Sequence, residues 1–152
     1  MKLFWKSLPA ALALCCAAAA PLEAETYEEY VGVQRILGAA LVDLQVMPDT
    51  EPQRALVVTA EVPSAGWHDG ELDPVIYVTF PQDGIWDVYA VAQAPDGMSA
   101  QVISKLVLAM DVSGEPGELK GYRIHATGNC VVVLFDPKTE LTSERCPVLG
   151  RE

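Results

Sequence analysis

The chain has 152 residues, of which 51% are hydrophobic and 20% charged, and its 10 basic against 21 acidic side chains give a formal net charge of −11. Such a length supplies one core of ordinary size and no more. The acidity, with no Lys/Arg cluster anywhere along the chain, excludes nucleic acid and anionic lipid headgroups as partners, since both are held through basic patches.

Residues 1–24, MKLFWKSLPAALALCCAAAAPLEA, set Lys2 and Lys6 ahead of an Ala/Leu-rich stretch from Leu8 to Ala20 and end in small residues. A positive start, a short apolar middle and an Ala-type cut site predict a secretory signal peptide, and the apolar run is too short to span a bilayer comfortably. Pro21 directly after Ala20 blocks a cut there, so cleavage is expected after Ala24, with Glu25 as the new N-terminus and a cut after Ala19 as the alternative. Cys15 and Cys16 follow Leu14 and Cys15, whereas a lipidation signal places a small residue just ahead of its cysteine. With Lys2, Lys6 and Glu23 removed, eight basic and twenty acidic residues remain, a formal charge of −12 on residues 25–152. The expected destination is the periplasm or the exterior, where such a charge keeps a small protein soluble.

The segment 25–40 reads as a short helix or an irregular lead-in. Thr26-Tyr27-Glu28-Glu29 fits a capping box, and Tyr27, Tyr30, Val31 and Leu37 fall along one helical face. Val31, Val33 and Ile36 also suit an edge strand, and Gly32 and Gly38 weaken a helix. From Val42 onward, short apolar runs broken by Pro, Gly and Asp predict an all-β domain. Leu56, Val58, Ala60 and Val62 alternate with Val57, Thr59 and Glu61, as a half-buried strand requires. The same period recurs in Ile76/Val78/Phe80, in Trp86/Val88/Ala90/Ala92, in Leu106/Leu108/Met110 and in Tyr122/Ile124/Ala126, while Val131 to Phe135 is a continuous apolar run suited to a central strand buried on both faces. Seven strands are predicted, at 41–47, 54–62, 75–80, 85–94, 101–112, 119–127 and 130–136, separated by Pro- and Gly-bearing turns such as Pro81-Gln82-Asp83-Gly84. Seven antiparallel strands in one domain, residues 25–152, suggest an immunoglobulin-like β-sandwich, with an eight-stranded barrel as the alternative.

Cys130 and Cys146 are the two cysteines left after export, and in an oxidising compartment they predict a disulfide stapling the C-terminal segment to the last strand. The densest mix of polar and aromatic groups is Gly66-Trp67-His68-Asp69-Gly70-Glu71-Leu72-Asp73-Pro74, bounded by Pro63 and Pro74. It reads as a loop at one end of the sandwich, with Trp67, His68, Asp69, Glu71 and Asp73 as candidate binding residues. It is not an EF-hand, because Pro74 and Phe80 stand where the glycine and the bidentate acid are needed. His68 and His125, joined by Met47, Met98 or Met110, would make a metal site if the fold brought them together. No Gly-x-Ser-x-Gly elbow is present, and Asp83 and Asp87 form the nearest carboxylate pair. The leading expectation is therefore a non-catalytic exported module that binds a protein or a glycan and needs no cofactor. A metal-binding envelope protein using His68 and His125, and a small hydrolase, are the alternatives.

Overall fold

The structure, a computed structural model, describes residues 29–45, 47–139 and Cys146. The expected leader at 1–24 and its expected cleavage site lie outside these residues. Eight strands run in chain order: β1 (Tyr30–Gly32), β2 (Arg35–Leu44), β3 (Gln53–Val62), β4 (His68–Pro74), β5 (Ile85–Gln93), β6 (Ser104–Asp111), β7 (Gly121–His125) and β8 (Cys130–Leu134). They form two sheets, β2-β3-β6 and a five-stranded sheet ordered β1-β5-β7-β8 with β4 also on β5. No helix long and apolar enough to cross a membrane occurs among the described residues.

One core lies between the sheets, and strand alternation builds it. Leu56, Val58, Ala60 and Val62 of β3 are fully buried and face Val88, Ala90 and Ala92 of β5, also fully buried, with Tyr122 and Ile124 of β7 beside them. The expected strands at 54–62, 85–94, 101–112, 119–127 and 130–136 correspond to β3, β5, β6, β7 and β8.

Four expectations are corrected. The lead-in is strand from Tyr30 onward, not helix. Val33 donates to the Ala90 carbonyl in one sheet, and Gln34 donates to the Glu61 carbonyl in the other. The chain thus crosses between sheets at that step, as the β-branched run Val31/Val33/Ile36 suits, while the capping box expected from Thr26 lies, apart from Glu29, outside the described residues. The predicted strand 75–80 is absent: Ile76 and Val78 are 93% and 104% exposed, while Tyr77 and Phe80 turn inward against Trp86. Conversely, the stretch read as a loop from Trp67 to Pro74 is mostly β4, paired with β5 from His68↔Gln93 to Pro74↔Val88. Its periodicity is masked by a register shift between His68 and Glu71, where Asp69 takes a left-handed φ of 47° that Asp tolerates better than most residues.

The fourth correction concerns direction. β5 and β7 pair in parallel, Ile85↔Gly121 through Tyr89↔His125, because β6 lies between them in the chain and belongs to the opposite sheet. β4 and β7 overlap on β5 at Val88 and Tyr89, and β1 overlaps β4 further along, so β4 occupies one edge of β5 while β7 and β1 share the other. β8 is buried on both faces as expected, yet it ends the β1-β5-β7-β8 path. Its outer face is covered by Cys146, packed on Ile85, Val132 and Leu134.

Candidate functional site

The register of the five-stranded sheet places polar side chains in rows across its outer face. One row runs Asp73, Tyr89, His125, Cys130; the next holds Asp87, Arg123 and Val132. Alternation decides this placement: Trp86, Val88 and Ala90 point into the core, so Asp87 and Tyr89 must point out, and the same holds for Arg123 and His125 on either side of Ile124.

Asp87 is the hub. Arg123 Nη1 donates to its Oδ1 and Oδ2 at 3.0 and 3.2 Å, His125 Nε2 lies 2.6 Å from Oδ1, and the Tyr77 hydroxyl donates to Oδ2. The other Arg123 amino group, Nη2, donates to Asp83 Oδ2 at 2.7 Å. Asp83 is held by the turn before β5, where its Oδ1 accepts from Ile85 N at 3.1 Å. Gly84 closes that turn by donating to the Pro81 carbonyl at a φ of 74°. An added Cβ at Gly84 would stand about 3.0 Å from the Lys120 side chain, so glycine serves both the backbone sign and the space.

These contacts set the protonation states. Burial pushes the Asp87 carboxyl upward, but hydrogen bonds from His125, Tyr77 and Arg123 outweigh it and hold the group below the ordinary carboxylate value of 3.8. Burial first, and then the Asp87 carboxylate, push the Tyr77 hydroxyl up to about 12, so it stays a protonated donor at neutral pH. For Arg123, burial acts downward, and the hydrogen bonds to Asp83 and Asp87 more than restore its charge.

The cluster floors an open cleft of about 800 Å³, walled on one side by Val75 and Tyr77 and on the other by the Cys130–Cys146 disulfide. Its most exposed member is Tyr89, half-exposed, whose ring stacks on His125 with centroids 5.2 Å apart and planes 30° from parallel. The predicted disulfide is present, with Cα atoms 5.3 Å apart, and so forms part of the cleft wall.

The five residues proposed from sequence lie on β4 and just before it, outside the Asp87 cluster. Trp67 packs half-buried on the core and donates from Nε1 to Ser64 Oγ at 3.1 Å. His68 pairs with Asp69 at 2.7 Å in an exposed position. Glu71 and Asp73 are exposed on β4, and Asp73 stands beside Tyr89 in register, on the same face as the cleft. His68 and His125 are kept apart, on opposite edges of β5 and four positions apart along it, about 13 Å of strand. Among the described residues no three His, Cys, Asp or Glu side chains group as metal ligands do.

The residues missed as a set are Tyr77, Asp83, Asp87, Tyr89 and Arg123. Their signal was the spacing of Asp87/Tyr89 and of Arg123/His125, two polar pairs at strand period in two apolar strands. The chain matches no protein-family model, no curated protein and no solved structure.

Proposed function

We propose that this is an exported, non-catalytic recognition module of the cell envelope or exterior, an immunoglobulin-like sandwich in the sense of two facing sheets, which holds its ligand on the outer face of the five-stranded sheet. The observation that carries the reading is the closed polar network around Asp87. Arg123 and His125 are both engaged by carboxylates, which fixes their positions, and the stacked Tyr89–His125 pair is left as the accessible platform. A rigid aromatic face bordered by carboxylates and a histidine suits a neutral sugar ring, whose C–H face stacks on the aromatic ring while its hydroxyls hydrogen-bond at the edge. The net negative charge favours neutral over anionic glycans.

Titration of the ¹⁵N-labelled protein with neutral oligosaccharides (chitohexaose, cellohexaose, maltohexaose) tests this. Shifts are expected at Tyr89, Arg123 and His125, and Tyr89→Ala should abolish them while the fold persists. Shifts confined to another face, binding undisturbed in Tyr89→Ala, or hydrolysis of any of these glycans would overturn the reading. Export is tested separately: sequencing of the exported protein is expected to begin at Glu25, and a lipid-bearing N-terminus at Cys15 or Cys16 would refute a soluble module.

A further inference from the structure

An open sheet ends in strands whose outward backbone groups invite pairing, and proteins blunt such edges with bulges, prolines, charges or short strands. β6 closes the β2-β3-β6 sheet, and its pairing with β3 runs from Ala55↔Asp111 to Val62↔Ser104 without a register shift. Val112 N, just past its end, donates to the Arg54 carbonyl at 2.8 Å, so the even-numbered residues of β6 turn their N–H and C=O groups toward β3. The bond from Gln34 N to the Glu61 carbonyl, 3.0 Å, agrees, because it turns the odd-numbered residues of β3 the other way, toward β2. Lys105, Val107, Ala109 and Asp111 therefore aim their backbone groups out of the sheet, and among the described residues none of those groups is hydrogen-bonded. All four residues are exposed, Val107 by 68%. β4 approaches β6 through Gly70 against the Leu106 and Leu108 side chains, on the core side, and bonds to none of its backbone. The other ends of the sheets are blunted: β2 and β4 carry register shifts, β4 stops at Pro74, and β1 and β8 have three and five residues. β6 has eight residues, no proline and no bulge.

We propose that β6 is a homodimerisation edge, to which the β6 of a second copy adds antiparallel, joining the two three-stranded sheets into one. The strand itself selects both the occupant and the register. A two-fold pairing must match odd-numbered residues with odd-numbered ones, and the register that uses all four sets Lys105 opposite Asp111 of the second copy and Val107 opposite its Ala109, and the reverse. Each such pair exchanges both of its backbone bonds. Opposite charges then meet at both ends of the boundary, with the apolar pairs between them, so the lysine that would guard this edge against a foreign strand is answered by a second copy of the same one. The net charge of −11 on each chain opposes association, which makes the dimer weak and concentration-dependent. Its dyad stands normal to the shared sheet, so the outer face of the five-stranded sheet, with the Asp87 cluster, stays open in both copies.

Amide hydrogen exchange of the purified exported protein, read beside sedimentation equilibrium at rising protein concentration up to the millimolar range, tests the assignment. Leu106, Leu108 and Met110 should be protected at every concentration, whereas Lys105, Val107, Ala109 and Asp111 should exchange freely in dilute solution and gain protection in step with the dimer. Val107→Pro gives up an outward N–H and no bond to β3, so it should stay folded and monomeric. Lys105→Glu should weaken the dimer about tenfold or more by setting like charges opposite each other. The double variant Lys105→Glu/Asp111→Lys restores the opposite signs and should recover the dimer, which keeps the test decisive if Val107→Pro fails to fold. A chain that stays monomeric, a dimer whose odd-numbered β6 amides remain unprotected, a dimer untouched by Val107→Pro, or a double variant no better than Lys105→Glu would each overturn the proposal. Protection of those amides in the monomer at every concentration would place another segment of the same chain on the edge and overturn it equally.

Discussion

A single carboxylate organises the outer face, and its environment makes a prediction about acid stability. Asp87 is held below 3.8 in the fold by His125, Tyr77 and Arg123 despite its burial. A depressed folded value means that its contribution is present in full above the unfolded value and is lost as pH falls below 3.8 through the folded value. Urea midpoints of the wild type and Asp87→Asn should therefore differ most near neutral pH and converge as the pH falls below 3.8; a constant difference across that range would show that Asp87 acts by packing alone. Tyr77 carries the opposite sign. Its value is raised from 10.0 to about 12, so its contribution is complete below 10 and disappears as pH rises through 12, and Tyr77→Phe should flatten the alkaline limb. The pieces of this network were visible in the sequence as isolated residues: Asp83 and Asp87 as a carboxylate pair, His125 as a lone histidine. Their union depends on Asp87 lying beside Arg123 in a parallel pairing between strands about 35 residues apart, which local periodicity does not encode. Trp67 follows the turn closed by Gly66, whose φ is 83°, and Gly70 beyond it comes close to Leu108. Since Trp67 is only half-buried, Trp67→Ala should cost about 1–2 kcal/mol, less than the roughly 3–5 kcal/mol of a fully buried tryptophan. Trp86→Ala, which also removes the bond from Nε1 to the Val75 carbonyl and two edge-to-face ring contacts, should cost more than Trp67→Ala in thermal unfolding, and the reverse order would return Trp67 to the centre of the core.

Among the elements, β3 and β5 were the most legible because each buries one face and alternates cleanly. β4 and the stretch after it were not, and the cause is the same in both. Period-2 reading assumes that one face is apolar, whereas β4 buries only Leu72 deeply and carries His68, Asp69, Glu71 and Asp73 outward along a bulged edge. After Pro74 one more backbone bond, Val75 N to the Asp87 carbonyl, continues the ladder; then the ring of Tyr77 docks on Trp86 and its hydroxyl on Asp87, leaving Ile76 and Val78 in solvent. An apolar alternation pointing the wrong way thus follows from one anchored tyrosine. The β7–β8 pairing gives a sharper test of how tightly an element is specified. A Cβ added at Gly121 would lie 2.2 Å from the Val133 carbonyl oxygen and 2.9 Å from the Leu134 Cα, both of them backbone atoms that cannot rotate away. Gly121→Ala should therefore destabilise the fold by about 3 kcal/mol or more, at the upper end of overpacking effects. Gly117, where an added Cβ meets nothing within 4 Å, is the control, and Gly117→Ala should stay within about 0.5 kcal/mol. Equal chemical-denaturation midpoints for the two variants would mean that β8 yields freely and that the close approach is not a constraint.

At the scale of the whole molecule, two tethers act outside the strand ladders, one between the sheets and one on Cys146, and the disulfide can be separated from the other. Asn129 in the turn before β8 accepts from Ile36 N at 2.8 Å and donates to the Ile36 carbonyl at 3.0 Å, so one side chain closes both bonds of a strand pair between β2 and the opposite sheet. The Cys130–Cys146 bridge acts elsewhere, on the outer face, where it spans a sequence separation of 16 and lays Cys146 over Ile85, Val132 and Leu134. In the chain-entropy account such a loop contributes about 3 kcal/mol through the unfolded state. The Cys130→Ser/Cys146→Ser variant should therefore lose about 2–5 kcal/mol in urea unfolding. Asn129 and the core between the sheets are untouched by that change, so the amide spectrum of the core strands β3 and β5 should be preserved in the absence of denaturant. What changes first is the cleft: without Cys146 its wall is released and the patch beneath opens to water, so any ligand held by Tyr89 and His125 should be lost while the core is still folded. Quantitative alkylation of both cysteines in the native, unreduced protein would refute the bridge, and full retention of cleft binding in the double serine variant would show that the bridge stabilises the fold without shaping the site.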